Sequence, residues 1–385
     1  METGTEKKEK SLNYYSLDRI LKERAHYNLI YGMRSNGKTF SVQELGLKNY
    51  IERGEQMAII RRYDVDFAGK RGADCFTHFV KNTVRGNIVE QMSNGKWTDI
   101  YYWSGRWYLC YYNEKNERIR DPQPFCYGFS LAGQEHDKST SYPNITTILF
   151  DEFMTRGLYL PDEFTTFTNV LSTIIRDRDN VKIFMCGNTV NKYCPYFKEM
   201  GLTNILQMQQ GDIQTYKFAS LNGKTLRIAV EYAENPNKDG KPSDVYFAFN
   251  NPKLQMITSG VWELALYPHL PVKYTRDDVN GEYYIKWEDE MLHCEVITVE
   301  VNKKFTSFTY IHRKTTPVDD DNDLVFSTEF NPRLNYRRKI THPQDNLGQR
   351  ILWYYKHDKI FYQDNDVGEI VRNYLNWCRS DKGFV

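Results

Sequence analysis

The residues from Gly32 to Thr39 have the types and the spacing of a loop that binds a phosphate group. They are Gly32, Met33, Arg34, Ser35, Asn36, Gly37, Lys38 and Thr39, and they fill the pattern GxxxxGK[ST] completely. The glycines allow the backbone to wrap around a phosphate with its N–H groups pointing inward. We expect Lys38 to neutralise the β- and γ-phosphate oxygens and Thr39 to offer its hydroxyl to Mg²⁺. The alternative is an ordinary turn between a strand and a helix.

Two acidic residues, Asp151 and Glu152, follow the apolar run Ile145–Phe150. A carboxylate at the end of a buried strand holds Mg²⁺ in nucleotide hydrolases that carry such a loop, and we assign this role to Asp151. Glu152 is placed to orient and polarise an attacking water. The pair could also cap a helix. Together with Lys38 it predicts an ATPase that uses Mg²⁺, because a small-molecule kinase needs its own acceptor instead of an activated water.

Four arginines and one asparagine are further candidates for this site. Asn188 follows an apolar strand and is expected to sense the γ-phosphate, although a plain turn would also explain it. Arg176 and Arg178 end a predicted helix, where a basic residue is favourable in any case, and one of them is a candidate arginine finger. Arg61 and Arg62 follow a predicted strand, and we expect one of them, Arg61, to face the nucleotide.

The elements that must position these residues follow an α/β rhythm. An apolar strand is predicted over 26–31, a helix over 39–53 and a second strand over 57–60. This strand–loop–helix–strand order predicts a parallel sheet. Two more apolar strands, 145–150 and 181–186, lead into the acidic pair and into Asn188. The carboxyl ends of all these strands are expected to meet at one edge of the sheet.

The rest of the chain divides by composition. Residues 87–131 contain aromatic strands at 100–103, 107–112 and 125–131, which predict an antiparallel, β-rich insertion. Strands are also predicted at 226–232, 245–249, 283–287, 295–301, 305–311 and 324–326, and an amphipathic helix follows near the C-terminus. The expected organisation is a disordered tail at 1–11, a P-loop ATPase domain at 12–200, a linker subdomain at 201–268 and an α+β domain at 269–385.

Composition excludes several classes of protein. The 385 residues carry a formal net charge of +1, so bulk charge does not hold the chain on nucleic acid or on a membrane. We find no apolar run of 18 residues, and the N-terminus has no apolar segment of a secretory signal. Seven cysteines without a CxxC motif argue against a disulfide framework. A cytoplasmic protein that is neither secreted nor membrane-bound is expected.

With these residues in place, the chain resembles the DNA-packaging ATPases of phi-29-type tailed bacteriophages, which are terminase-like motors. The resemblance covers residues 12–200, and 142–153 is its most specific part. It is carried by Asp18–Leu21, Gly32–Thr39, Gly54–Gln56, Arg61–Tyr63, Ser141–Ile145, Phe150–Phe153, Arg176–Asn188 and Asn191–Phe197.

The resemblance implies a P-loop NTPase domain of the additional-strand type, followed by a C-terminal domain with an RNase H-like fold that lacks the nuclease site. It implies a homomeric ring, a pentamer by analogy, that docks transiently on the portal of a procapsid in the host cytoplasm and moves double-stranded DNA inward. A structural RNA is a further partner to consider. By position, Lys38 and Glu152 are catalytic, Arg176 matches the trans-acting finger better than Arg178, and Arg156 is a candidate for DNA contact.

The C-terminal residues give weaker signals. A nuclease needs about three carboxylates around two metal ions. Glu295 and Glu300 have odd spacing on one predicted strand and therefore point to opposite faces, and the acidic stretch 319–323 is typical of a solvated loop. Nuclease activity is not expected. The basic patch comprises Arg337, Arg338 and Lys339, together with Arg333 and Tyr336. It is a candidate for DNA contact, and a solvated face is the alternative.

Two classes of function remain open from the sequence. The first is an ATP-driven translocase that packages viral double-stranded DNA. The second is a cytosolic P-loop ATPase that remodels proteins or replication complexes. A nucleotide-binding scaffold without turnover is disfavoured by Glu152, because such a protein has no use for a residue that activates water.

Overall fold

A computed structural model describes residues 14–133, 141–157, 159–160, 162–190, 194–219, 223–234, 266–301 and 303–380. The chain forms two compact units. The first contains residues 1–156 and 162–262, and the second contains 157–161 and 263–385. The predicted disordered tail and the predicted strand at 245–249 lie outside the described residues.

The first unit alternates strands and helices around the predicted phosphate loop. Its described helices are α1 (Asp18–Lys22), α2 (Lys38–Arg53), α3 (Gly69–Asp74), α4 (Thr77–Val80), α5 (Ile88–Met92), α6 (Glu163–Ile175) and α7 (Pro195–Glu199). Its described strands are β1 (Tyr27–Gly32), β2 (Gln56–Arg61), β3 (Asp99–Trp103), β4 (Arg106–Tyr112), β5 (Arg118–Arg120), β6 (Cys126–Ser130), β7 (Ile145–Asp151), β8 (Lys182–Asn188), β9 (Ile213–Ala219) and β10 (Thr225–Tyr232).

These strands form one sheet in the order β3-β4-β6-β2-β7-β8-β1-β10-β9, and β5 pairs with β4. The six neighbours from β6 to β10 are parallel to one another. The central strands are apolar and almost completely buried, as expected for parallel strands that are covered on both faces. Strand β8 lies between β1 and β7, so the ends of β1, β8 and β7 stand side by side.

The sheet is larger than the sequence predicts. The β-rich insertion is not a separate antiparallel element, because β6 pairs in parallel with β2 and places Cys126 opposite Met57. Only β3, β4 and β5 add antiparallel strands at that edge. At the other edge, β9 and β10 belong to the same sheet although they fall in the segment predicted as a linker. Burial explains both differences, since Phe125, Phe129 and Val230 are core residues.

The second unit is a mixed sheet with helices. Its described strands are β11 (Val279–Trp287), β12 (Glu290–Val301), β13 (Lys304–Arg313), β14 (Val325–Ser327), β15 (Tyr336–Arg337) and β16 (Ile360–Tyr362). Its described helices are α8 (Asn346–Lys356) and α9 (Asn365–Ser380). The strand order is β15-β14-β11-β12-β13-β16, in which β11, β12 and β13 are antiparallel and the other pairs are parallel.

Helix α9 packs on β11, β13 and β16 through the predicted apolar face, which buries Val367, Ile370, Val371 and Tyr374 completely. All seven cysteines are free thiols in the structure. No helix in the described part of the chain is both long enough and apolar enough to cross a lipid bilayer.

Candidate functional site

The phosphate loop lies where the sequence places it, between the end of β1 and the start of α2. Gly37 has a φ of +94°, which favours glycine, and a Cβ there would lie 3.1 Å from the ring of Tyr14. The next residue, Lys38, is the first of a 16-residue helix. The free N–H groups and the positive dipole end of such a helix attract a phosphate.

Lys38 is folded back onto the loop. Its ammonium nitrogen lies 2.6 Å from the carbonyl oxygen of Met33, 3.1 Å from Asn36 Oδ1 and 3.5 Å from Asn188 Oδ1. Burial lowers the pKa of Lys38 to about 8, and the nearby carboxylate of Asp151 opposes this shift only in part. A buried cation with only weak acceptors around it is ready to pair with a polyanion.

Thr39 and Asp151 are in direct contact, so the loop and the end of β7 form one site. Thr39 donates a 2.7 Å hydrogen bond to Asp151 Oδ1. The other carboxylate oxygen of Asp151 forms a 2.6 Å ion pair with Arg61. Arg61 also lies 3.1 Å from Glu152. Burial acts to lower the pKa of Arg61, but Asp151 and Glu152 outweigh this effect and raise it, so the guanidinium stays charged.

Glu152 projects into solvent at the mouth of the site, with a side chain that is 66% exposed. Its backbone has a φ of +58°, which is uncommon for a residue other than glycine. Its N–H group donates to Asp151 Oδ1 at 3.1 Å. This conformation turns the chain sharply after β7. The carboxylate of Asp151 is buried, whereas that of Glu152 is exposed to solvent.

A buried ion pair behind this turn is a feature that the sequence does not reveal. Arg62 makes a bidentate contact with Glu163 at 2.7 and 2.8 Å, and Tyr196 donates to the same carboxylate at 2.8 Å. Arg62 also donates to the carbonyl oxygens of Glu152 and Phe153. The pair therefore joins the end of β2, the turn after β7, α6 and α7. Of the two predicted arginines, Arg61 faces the site and Arg62 supports it from behind.

The site opens into a cleft of about 620 Å³, a size that suits a small-molecule ligand. The predicted residues Ser35, Asn36, Gly37, Lys38, Thr39, Asp151, Glu152 and Asn188 line it. The cleft also contains residues that the sequence did not indicate, namely Tyr14, Phe40, Gln43, His78, Asn82, Cys186 and Gly187. Phe40 and Gly187 directly adjoin predicted residues, whereas Tyr14, His78 and Asn82 come from segments that no local spacing links to the site.

The residues present fit a nucleoside triphosphate with Mg²⁺. Asn36 Nδ2 is buried and has no hydrogen-bond partner among the described residues, which leaves a donor for a phosphate oxygen. Tyr14 stacks on Phe40 with ring centroids 6.0 Å apart, and Phe40 in turn contacts His78. Aromatic faces of this kind suit a purine base. Thr39 and Asp151 supply oxygen ligands, which Mg²⁺ prefers.

The two candidate finger residues differ in their environment. Arg178 donates to the carbonyl oxygens of Tyr142, Pro143, Ile145, Ile174 and Ile175, at distances from 2.5 to 3.2 Å. These contacts hold the start of β7 against the end of α6. Arg176 is exposed directly after α6, with a φ of +51°. Arg178 is thus committed to the backbone, whereas Arg176 faces outward.

The candidate DNA contacts are more scattered. Arg156 is half-buried in the first unit, four residues after Glu152. In the second unit, Arg337 forms a bidentate ion pair with Asp345 at 2.9 and 2.6 Å. Arg338 donates to the carbonyl oxygen of Thr328 and, like Lys339, lies over the ring of Trp377. The charge that this patch offers to phosphate is therefore smaller than the sequence suggests, and DNA contact stays a prediction.

Relatives of the chain are known. Residues 122–209 match the family model described as the podovirus DNA encapsidation protein (Gp16). The DNA packaging protein of Bacillus phage B103 is 27% identical over 190 residues, which are 49% of this chain and 50% of that protein. The DNA packaging protein of Bacillus phage phi29 is 25% identical over 192 residues, with the same coverage. The chain spans about half the length of the curated relatives it matches.

Solved structures extend the similarity over nearly the full chain. The phi-28 gp11 DNA packaging motor has a TM-score of 0.52 at 16% identity and covers 97% of this chain and 100% of its own. The viral genome packaging motor assembly of bacteriophage phi-29 has a TM-score of 0.53 at 17% identity, with 95% and 100% covered. At this identity the likeness shows a shared fold. The similarity to the DNA packaging proteins of the two Bacillus phages confirms the resemblance that the sequence predicts.

Proposed function

We propose that this chain is an ATP-driven double-stranded DNA translocase that packages a viral genome into a procapsid. The observation that carries the proposal is the contact between Thr39 and Asp151 beside Lys38, in a cleft that Glu152 borders. The similarity to packaging proteins of Bacillus phages supplies the substrate, because ATP hydrolysis alone does not specify DNA. Strand β8 between β1 and β7 supports a P-loop domain of the additional-strand type.

We assign each residue of the cleft a role in hydrolysis. Lys38 and the N–H groups at the start of α2 would hold the β- and γ-phosphates, and Thr39 and Asp151 would hold Mg²⁺. When bound, Mg²⁺ would neutralise charge that develops on the phosphate oxygens. Glu152 accepts a proton from a water molecule while the oxygen of that water attacks the γ-phosphorus. The bond between the γ-phosphorus and the bridging oxygen of ADP breaks in the same reaction. Asn188, 3.5 Å from the Lys38 ammonium, is placed to sense whether the γ-phosphate is present.

A ring would complete the active site. We infer that Arg176, which is exposed directly after α6, reaches the γ-phosphate in a neighbouring subunit, as an arginine finger does. We infer a homomeric ring, a pentamer by analogy, docked on the portal in the host cytoplasm, with double-stranded DNA in its channel and a structural RNA as a further partner to test. Arg156, which follows Glu152 closely in the chain, is the proposed link between DNA and hydrolysis.

The second unit is proposed to be an RNase H-like domain without nuclease activity. Its mixed sheet with α8 and α9 is compatible with that fold. Glu295 is buried and Glu300 is exposed, and the residues of 319–323 bond to one another in a surface turn. These carboxylates do not converge on a pair of metal ions, which the chemistry requires. Contacts of Arg337, Arg338 and Lys339 with DNA phosphates belong to the same proposal.

The alternative is a P-loop ATPase that remodels proteins or replication complexes. DNA dependence separates the two functions. The experiment is a measurement of ATP turnover by the purified chain, with and without double-stranded DNA and with and without portal particles. A translocase is stimulated by DNA once it has assembled on the portal. Turnover that double-stranded DNA never changes, in rings shown to be assembled, would favour the remodelling ATPase.

A further inference from the structure

Two histidines and a glutamate converge on one face of the second sheet. His293 and Glu295 lie two positions apart on β12, so they share a face. His312 is the direct partner of His293 on β13, and the two rings lie 4.8 Å apart. The ligand atoms that these three side chains offer lie within 4.8 Å of one another. This cluster is remote in sequence from every residue of the nucleotide cleft.

The hydrogen bond of His312 leaves a lone pair that faces Glu295. His312 Nδ1 lies 3.1 Å from the carbonyl oxygen of Arg313, which can only accept, so Nδ1 carries the proton. In the neutral ring, Nε2 then has a free lone pair, and it faces a carboxylate oxygen of Glu295 at 3.4 Å. Two acceptors facing each other repel. A proton or a metal ion between them removes the repulsion.

His293 is oriented by a second carboxylate. Its Nε2 lies 2.8 Å from Glu282 Oε1, which leaves Nδ1 as the lone-pair atom of the neutral ring. A carboxylate that accepts from a histidine ring fixes the tautomer and increases the basicity of the other nitrogen, as in many zinc proteins.

We propose that His293, Glu295 and His312 bind one Zn²⁺ ion, with Glu282 orienting His293. Two imidazoles and one carboxylate are a ligand set that suits zinc, and a water would fill the fourth position. The site would hold β12 to β13 independently of ATP. It differs from a two-metal nuclease site, which needs about three carboxylates around two metal ions.

One cation already competes for the cluster. Arg276 makes a bidentate contact with Glu282 at 2.5 and 2.8 Å and lies 3.6 Å from Glu295, and Tyr274 donates to Glu295. The Arg276 side chain is 69% exposed, so it can withdraw without breaking core packing. The negative charge of these carboxylates is therefore neutralised either by Zn²⁺ or by the guanidinium of Arg276. Removing Arg276 should strengthen zinc binding, which is the opposite of what removing a ligand does.

The test is a calorimetric titration, in which ZnSO₄ alone is added to the full-length chain after treatment with a chelator. We expect one high-affinity site per chain, and a d–d absorption band of tetrahedral intensity when CoCl₂ replaces zinc. His293→Ala and His312→Ala should each weaken binding at least roughly 10-fold. His357→Ala, which alters an exposed histidine at the end of α8, is the matched control and should bind normally.

Circular dichroism verifies that each variant is folded, and Glu295→Gln offers a ligand change of nearly constant volume. Arg276→Ala should bind zinc more tightly than the original chain. The proposal is overturned if the folded chain binds no zinc, or if His293→Ala and His312→Ala bind it as tightly as His357→Ala does. None of these readouts depends on ATP turnover or on DNA, so failure here leaves the proposed translocase untouched.

Discussion

Thr39 donates a 2.7 Å hydrogen bond to Asp151, although 112 positions separate the two residues. The contact brings together the start of α2 and the end of β7. Both lie at the carboxyl ends of the central parallel strands, where β8 separates β7 from β1. Both oxygens of Asp151 are engaged, one by Thr39 and the other by Arg61. A metal ion that binds here therefore shares Asp151 with Thr39 and competes with the guanidinium of Arg61 for the carboxylate.

This competition predicts the effect of removing Arg61. In Arg61→Ala, Asp151 loses its 2.6 Å ion pair, so Mg²⁺ no longer competes with the guanidinium for the carboxylate. We expect nucleotide binding to reach half-saturation at a lower Mg²⁺ concentration, by a factor of about 10, which corresponds to a charge-assisted contact. Fluorescent ATP-analogue binding across a Mg²⁺ series measures it. Arg53→Ala, a surface change, is the control, and an unchanged Mg²⁺ dependence in Arg61→Ala would contradict the idea.

Glu152→Gln should separate binding from hydrolysis. The amide is nearly the same size as the carboxylate but cannot accept a proton from water, so turnover should fall by about 10²–10⁴. ATP affinity should stay close to that of the original chain, because Glu152 lies at the mouth of the cleft with a 66% exposed side chain. Single-turnover hydrolysis and equilibrium binding measure the two effects. Glu90→Gln, on exposed surface of α5, should leave both unchanged, and equal hydrolysis by Glu152→Gln would remove Glu152 from the mechanism.

Lys38 makes ATP binding dependent on pH in a defined direction. Its pKa is lowered to about 8 by burial, and a bound polyphosphate raises it again. Below about pH 8 the ammonium is already charged, so this group adds no pH dependence. Above that value, binding must take up a proton, and affinity should fall by up to about 10-fold per pH unit.

Calorimetry at pH 8.5 in buffers of different ionisation enthalpy measures this proton uptake directly. Lys48→Met, which removes an exposed lysine from the same helix, should retain the uptake, whereas Lys38→Met should lose both the uptake and most of the affinity. Uptake that persists in a folded Lys38→Met protein would assign it to another group.

The sequence predicts those parts of the site that are local in the chain. The loop from Gly32 to Thr39 and the pair Asp151–Glu152 each lie within a few residues, because a strand end and a helix start dictate their geometry. The alternating elements also predict the parallel strands β1, β2, β7 and β8 correctly. Arg61 pairs with Asp151 and Glu152, whereas Arg62 pairs with the buried Glu163. Side chains alternate along an extended chain, so a difference between these neighbours is expected, but the sequence does not say which of the two points toward Asp151.

Long-range packing decides what the sequence leaves open. Tyr14, His78 and Asn82 reach the cleft only because the sheet and α4 bring distant segments together. Glu163 gives no signal as the partner of Arg62, since an acidic residue in the first turn of a helix is favourable without any partner. The strand β6 was predicted but not its parallel pairing with β2, because pairing direction depends on which neighbour is available and not on the strand's own composition.

The ion pair of Arg62 and Glu163 should matter for stability rather than for nucleotide binding. Both side chains are almost completely buried, so Arg62→Ala leaves an uncompensated carboxylate next to Tyr196. A broken buried pair of this kind costs about 3–5 kcal/mol in the free energy of unfolding. Urea denaturation of the full chain measures the change, and Arg53→Ala on the surface should cost less than about 1 kcal/mol. A loss as small as that of the control would show that water replaces the arginine.

Arg176 tests the ring. It is exposed after α6, whereas Arg178, two positions later, is bonded to five carbonyl oxygens of its own chain. We expect Arg176→Ala to bind ATP normally as a monomer and to lose most of its ring-dependent, DNA-stimulated turnover, by a factor of about 10³–10⁵ if it acts as a finger in trans. Arg71→Ala, another exposed arginine of the first unit, is the matched control.

Rings assembled from a mixture of Arg176→Ala and Glu152→Gln subunits test whether the two residues act in one site shared by neighbouring subunits. If one subunit supplies Glu152 and its neighbour supplies Arg176, mixed rings contain interfaces in which both residues are intact. Some turnover should return, although each variant is inactive alone. Subunit exchange is verified with labelled chains. The trans assignment fails if an isolated monomer hydrolyses ATP as fast as the ring and loses that activity in Arg176→Ala, because a finger acting within its own chain needs no neighbour.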